Sequence, residues 1–209
     1  MRSDRIALVA LAATTILTGC ARTLSESSAV DAHANDDGAF WTALESQRTL
    51  TNHDALHGLF LLADGADTHA TYEERVASAR DRQWISAKEP NPVANESISV
   101  GRVASAAARI AEIKGGLSMR LAGPTPRYAT RELVYMGLLP DRTENQSMSG
   151  LEFLDLIGRM EDHMAAEEAR SLEERLQEAA SEPAEAAPEE GTGAQPAANQ
   201  EEATPPQGA

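Results

Sequence analysis

Met148-Ser149-Gly150-Leu151-Glu152-Phe153-Leu154 reads as the start of a helix, and its layout recurs upstream in Leu50-Thr51-Asn52-His53-Asp54-Ala55-Leu56 and Ile98-Ser99-Val100-Gly101-Arg102-Val103-Ala104. Each copy runs from an apolar residue to a Thr or Ser and then to an apolar stripe. A Thr or Ser hydroxyl at the residue before a helix accepts a hydrogen bond from one of the first backbone N–H groups, which otherwise lack partners. Ser149 with Glu152 has the full spacing of a capping box, and Thr51 with Asp54 approximates one. The caps stand 48 and 50 residues apart, a period that marks a repeated supersecondary unit.

The apolar faces that follow are helical in spacing: Leu56, Leu59, Phe60 and Ala63; Val103, Ala107, Ile110 and Ala111; Phe153, Leu156, Ile157, Met160 and Met164. Gly115-Gly116 is expected to end the second of these helices. A shorter helix precedes each of the last two, over 72–82 and 128–136. Each leads to a small exit sequence, Gln83-Trp84-Ile85 or Gly137-Leu138-Leu139, at an offset of 54. Phe40-Trp41-Thr42-Ala43-Leu44 stands as a reduced version before the first capped helix. The expected fold is therefore mainly α, a small domain of repeated helix-loop-helix units.

Outward from this body, at 39–164 with units of about 39–65, 70–116 and 125–164, the composition changes on both sides. Residues 161–209 hold thirteen acidic residues against Arg170 and Arg175, leaving about −4 of the net −15 to the rest of the chain. Residues 165–180 carry Glu/Arg pairs at helical spacing and read as an acidic helical extension. Residues 181–209 are mostly Pro, Ala, Glu, Gln and Gly, with no large apolar residue; burial cannot offset their ordering entropy, so a disordered tail is expected. A flexible tether is expected over 20–38.

The amino terminus reads as an export signal: Arg2 and Arg5, an apolar run from Ile6 to Ala13, then Leu17-Thr18-Gly19-Cys20. The run is too short to span a bilayer. This arrangement resembles bacterial lipoprotein precursors. The resemblance implies cleavage between Gly19 and Cys20 and a diacylglycerol thioether on Cys20, usually with amino-terminal acylation such as palmitate. Membrane attachment would then need no transmembrane helix. Cys20 is the only cysteine, and an alkylated thiol suits an oxidising compartment. An ordinary secretory signal is the plain alternative. Ala21 rather than Asp after the cysteine favours an outer-membrane destination within the cell envelope.

The repeated body resembles the S-layer homology motif, whose units run from a helix through a small-residue turn to a capped second helix. That resemblance implies a pseudo-threefold helical domain that binds secondary cell-wall polysaccharide. The family's sugar-binding arginine, one residue after the cap, is replaced here by Asn52, Val100 and Gly150. Fold therefore carries over more readily than ligand. The expected partners are the membrane, through the lipid, and an envelope protein or polysaccharide. No cofactor is expected, nor nucleic acid, since no basic stripe with interleaved aromatics is present. A peripheral membrane role through charge is disfavoured on the same composition.

Several side chains invite sharper chemistry. Arg102, Arg131 and Trp84 are the candidate polysaccharide contacts, within a wider set of Arg75, Arg80, Arg82, Arg109, Arg120 and Arg127 that also suits solvated helix faces. Trp41 and Trp84 could stack on sugars, core packing being the plainer reading. His53 and His57 at i and i+4, with His69 near, form an incomplete metal set and read more simply as solvated polar-face histidines. Asp64-Gly65-Ala66-Asp67 lacks the ligands of a calcium loop and reads as a turn with Gly65 ending a helix. No nucleophile motif or catalytic cysteine is present, so no catalytic residue is assigned; a site joining Asp54, Glu152 and a histidine would be the way to an enzyme.

Overall fold

The computed structural model describes residues 28–33 and 36–181. The signal, Gly19 and Cys20, most of the tether and the tail from 182 lie outside them. Among the described residues eight helices occur: α1 (Ala29–His33), α2 (Asp37–Glu45), α3 (Asn52–Asp64), α4 (Tyr72–Asp81), α5 (Val100–Ile110), α6 (Leu117–Ala122), α7 (Pro126–Tyr135) and α8 (Gly150–Ser181). The protein is mainly helical, and its only β pairing among these residues is two isolated bridges, Thr51 with Ser97 and Ser99 with Ser147.

The three capped starts form as their sequences dictate. Thr51, Ser99 and Ser149 side chains accept from Asp54 N at 3.0 Å, Arg102 N at 3.4 Å and Glu152 N at 3.2 Å. Glu152 completes its capping box by accepting from Ser149 N at 2.9 Å. The segments before the caps pair with one another. Asn52 N donates to Glu96 O at 2.9 Å, Val100 N to Gln146 O at 2.8 Å and Gly150 N to Gln47 O at 3.0 Å, so each unit's cap is closed by another unit's loop. Leu50, Ile98 and Met148 meet in this ring and are at most 1% exposed. The repeat is thus a tertiary fact as well as a sequence pattern: each unit leaves backbone donors that only its neighbour satisfies.

The exits repeat as well. Trp84 and Ile85 N–H groups return to Ala79 O, and Leu138 and Leu139 N–H groups return to Leu133 O, across the same offset of 54. This closure needs a left-handed residue after the helix, and Gln83 (φ 60°) and Gly137 (φ 75°) supply it. Gly150 has a different reason to be glycine: an added Cβ would lie 2.0 Å from the carbonyl oxygen of Leu44.

Three expectations need correction. α5 stops at Ile110, not at Gly115-Gly116, because Glu112 adopts φ 51° and Ile113 N closes back on Ala108 O at 2.9 Å. Gly116 instead precedes α6, a short helix in the gap left between the second and third expected units. Part of the expected tether is ordered, Ala29–His33 forming α1: Ala29 and Val30 are buried, and Ser28 Oγ and Val30 N both donate to Asp54 Oδ1, at 2.5 and 3.1 Å. Asp54 is itself fully buried and also accepts from Gln47 Nε2 and Thr51 Oγ1. A long-range demand of one buried carboxylate thus orders a segment whose composition alone reads as linker.

Contacts divide the chain between Glu168 and Ala169. The first unit holds the buried core, with α5 packed most extensively on α7. The described residues of the second, 169–181, are helical and exposed.

Candidate functional site

An open cleft of about 670 Å³ lies between the exit loop of α4, one face of α5 and the α6–α7 connection. Arg102, Ser105 and Arg109 recur at helical spacing along α5 and form its floor with Trp84. Arg80, Lys88 and Glu89 line one side, and Pro124, Thr125 and Pro126 the other. Four cations against one carboxylate make the cleft positive in a protein of net charge −15.

These cations differ in their engagement. Arg80 shapes the loop, donating to Ser86 O at 2.9 Å, Glu89 O at 2.7 Å and Asn91 Oδ1 at 3.1 Å. Arg102 reaches Asn52 Oδ1 at 3.2 Å and Glu89 Oε2 at 3.3 Å. Arg109 Nε is buried with no partner, and burial lowers the pKa of its guanidinium. Lys88 makes no ion pair among the described residues. An unpartnered buried N–H of a cation is costly, and the rest of this half-buried guanidinium can offer an anion charge-assisted hydrogen bonds.

Arg102 also breaks a local rule. It occupies the first turn of α5, where the helix dipole favours acids, whereas the equivalent positions in α3 and α8 are Asp54 and Glu152. At α8, Arg142 from the preceding loop pairs with Glu152; at α5, Glu89 from the preceding loop pairs with Arg102. The pair is charge-inverted only beside the cleft. Departures of this kind concentrate at functional sites.

Trp84 packs on Phe60 with ring centroids 4.8 Å apart and is 6% exposed, so it reaches the cleft by an edge only. Trp41 sits against Phe40 and Phe153. Arg131 is exposed on α7 and does not line the cleft, so the structure does not bring it together with Arg102. Arg75 and Arg82 pair with Asp67 and Asp64.

The histidines overturn their plain reading. His53 and His57 are buried and belong to a polar cluster centred on Asp67, whose side chain is fully inaccessible. Asp67 accepts from His57 Nδ1 at 2.6 Å, from His69 Nδ1 at 2.7 Å, from His69 N at 3.0 Å and from Arg75 Nε. Arg75 continues to His53 Nε2 at 2.7 Å and to His69 O at 3.1 Å. Burial alone would raise the Asp67 pKa, but these hydrogen bonds outweigh it and hold the carboxylate well below the usual range. Burial first, and Arg75 beside it, lower the pKa of His53. His57 Nδ1 and His69 Nδ1 face Asp67 and His53 Nε2 faces Arg75, His57 Nε2 is buried without a hydrogen-bond partner, and no group of three or more metal-binding side chains occurs among the described residues. Gly65 ends α3 at φ 71°, and the following chain turns Asp67 inward.

Asp54 and Glu152, the acids an enzyme reading requires, are engaged as caps. Arg142 and Ser149 hold the Glu152 carboxyl below its ordinary range against the opposing effect of burial. Of the cleft, Arg80, Trp84, Arg102 and Arg109 were named by sequence, and the α5 spacing could have grouped Arg102 with Arg109. Lys88 carried no signal, because the loop that brings it to the cleft is shaped by Arg80. No family model, characterised protein or solved structure matches this chain.

Proposed function

We propose that the chain is a non-catalytic lipoprotein of the cell envelope, anchored through Cys20, whose helical repeat body is a binding module. Its ligand is an anionic stretch of envelope polysaccharide seated in the cleft between α4, α5 and α7. The observation that carries this reading is the unpartnered Arg109 Nε beside Arg102 and Lys88 in a cleft open to solvent. The ring of three capped starts supports likeness to S-layer homology domains, while Asn52, Val100 and Gly150 at the family's arginine position argue for a relocated ligand site.

Co-sedimentation of the full chain in detergent with protein-free envelope polysaccharide tests it. Saturable binding that falls roughly tenfold in Arg109→Gln and weakens with salt supports the reading. Binding that ignores Arg109 and Lys88 would refute it.

A further inference from the structure

Four further cations outside the cleft fall in one stretch of chain around α6 and α7. Between Lys114 and Met136 the chain holds Lys114, Arg120, Arg127 and Arg131 against the single acid Glu132, within a protein of net charge −15. All four cations are exposed and none has an ion-pair partner among the described residues. Leu117 and Leu121, one turn apart on α6, are 74% and 81% exposed, and Tyr135 at the end of α7 is 87% exposed. Met119, between the leucines, is buried and fixes α6 to the body. Gly116 N donates to Glu132 Oε2 at 3.2 Å, tying the start of α6 to the turn of α7 that carries Arg131 and Tyr135. Arg127, Arg131 and Tyr135 follow one another at four-residue intervals along one side of α7.

We infer that this α6–α7 face docks on a bilayer surface bearing anionic headgroups. Exposed leucines on a short fixed helix insert into the interfacial region, basic side chains stay at headgroup level, and a tyrosine suits the boundary between them. Local charge argues for an anionic surface despite the acidic whole, since screening confines such attraction to about 10 Å. The acidic stretch 182–209 matches the charge but has no large apolar residue to cover Leu117 and Leu121. The inference rests on membrane attachment through Cys20 for its proximity and is independent of the cleft. It amends the composition-based expectation that charge disfavours a membrane surface.

The test places an environment-sensitive fluorophore at Ser118, as Ser118→Cys, in the full lipidated chain reconstituted in phosphatidylcholine vesicles with and without phosphatidylglycerol. Blue-shifted emission with phosphatidylglycerol, lost in Leu117→Ser/Leu121→Ser and reduced in Arg120→Ser/Arg127→Ser/Arg131→Ser, is expected. Water-like emission throughout, or the same shift in the leucine variant, overturns the inference. So does a shift in phosphatidylcholine alone that disappears when 182–209 are removed, which would assign the face to the chain's own tail. Intact mass of the same sample reports acylation, so a missing anchor is told apart from a face that does not dock.

Discussion

The polar cluster at Asp67 and the cleft at Arg109 are both built of buried or half-buried charge, yet one is closed and the other open. Around Asp67 the carboxylate is sealed from water and bound by His57 Nδ1, His69 Nδ1 and Arg75 Nε, while His57 Nε2, also buried, has no hydrogen-bond partner and stands 3.9 Å from Asp37 Oδ1. In the cleft, Arg109 Nε has no hydrogen-bond partner and Lys88 makes no ion pair among the described residues. What separates the two is access: the charges around Asp67 answer one another inside the fold, whereas the cations of the cleft line a volume open to solvent.

The sharpest break of this comparison is Asp67→Ala. It leaves Arg75 buried without its counter-ion and should cost about 3–5 kcal/mol of stability in a urea titration. A loss below about 1 kcal/mol would mean the cluster is not structural. Acidification acts on the same cluster. The folded pKa of His53 lies below 6.5 and that of Asp67 below 3.8. In both cases the unfolded chain takes up protons first, so stability should fall as pH drops below about 6.5 and again below about 4. Besides Arg75, Asp31, Asp54 and His57 act on His53, and His53→Gln should flatten the upper step in thermal melts against pH.

Arg109→Met is expected to stabilise the fold by about 1 kcal/mol, because it removes a desolvated unpartnered donor, while weakening polysaccharide binding. A variant that is both less stable and unimpaired in binding would make Arg109 a packing residue. Smallest in stability is Lys88→Gln, which should stay within about 0.5 kcal/mol of the parent while lowering binding at low salt.

How much of this was legible follows from the range of each interaction. Caps at Thr51, Ser99 and Ser149 act over three residues, so their positions could be read directly. The exits at Gln83 and Gly137 were found as a repeated pattern, and their left-handed geometry explains it. The short α6 was missed because Gly115, Gly116 and Gly123 punctuate it, and α1 because its order comes from Asp54 far along the chain. His53 and His57 were read as a polar face because their partners, Arg75 and Asp67, belong to the next loop and helix.

By itself, the sequence determined a mainly helical repeat body, its three capped starts and an acidic extension, all signals carried by local spacing and composition. Tertiary structure alone decided which arginines line the cleft, which are neutralised and which sit beside exposed leucines. The polar partners of these arginines stand 8 to 50 residues away, as in the ion pair of Arg75 with Asp67 and the hydrogen bond of Arg102 to Asn52, and a linear pattern does not encode which partner arrives.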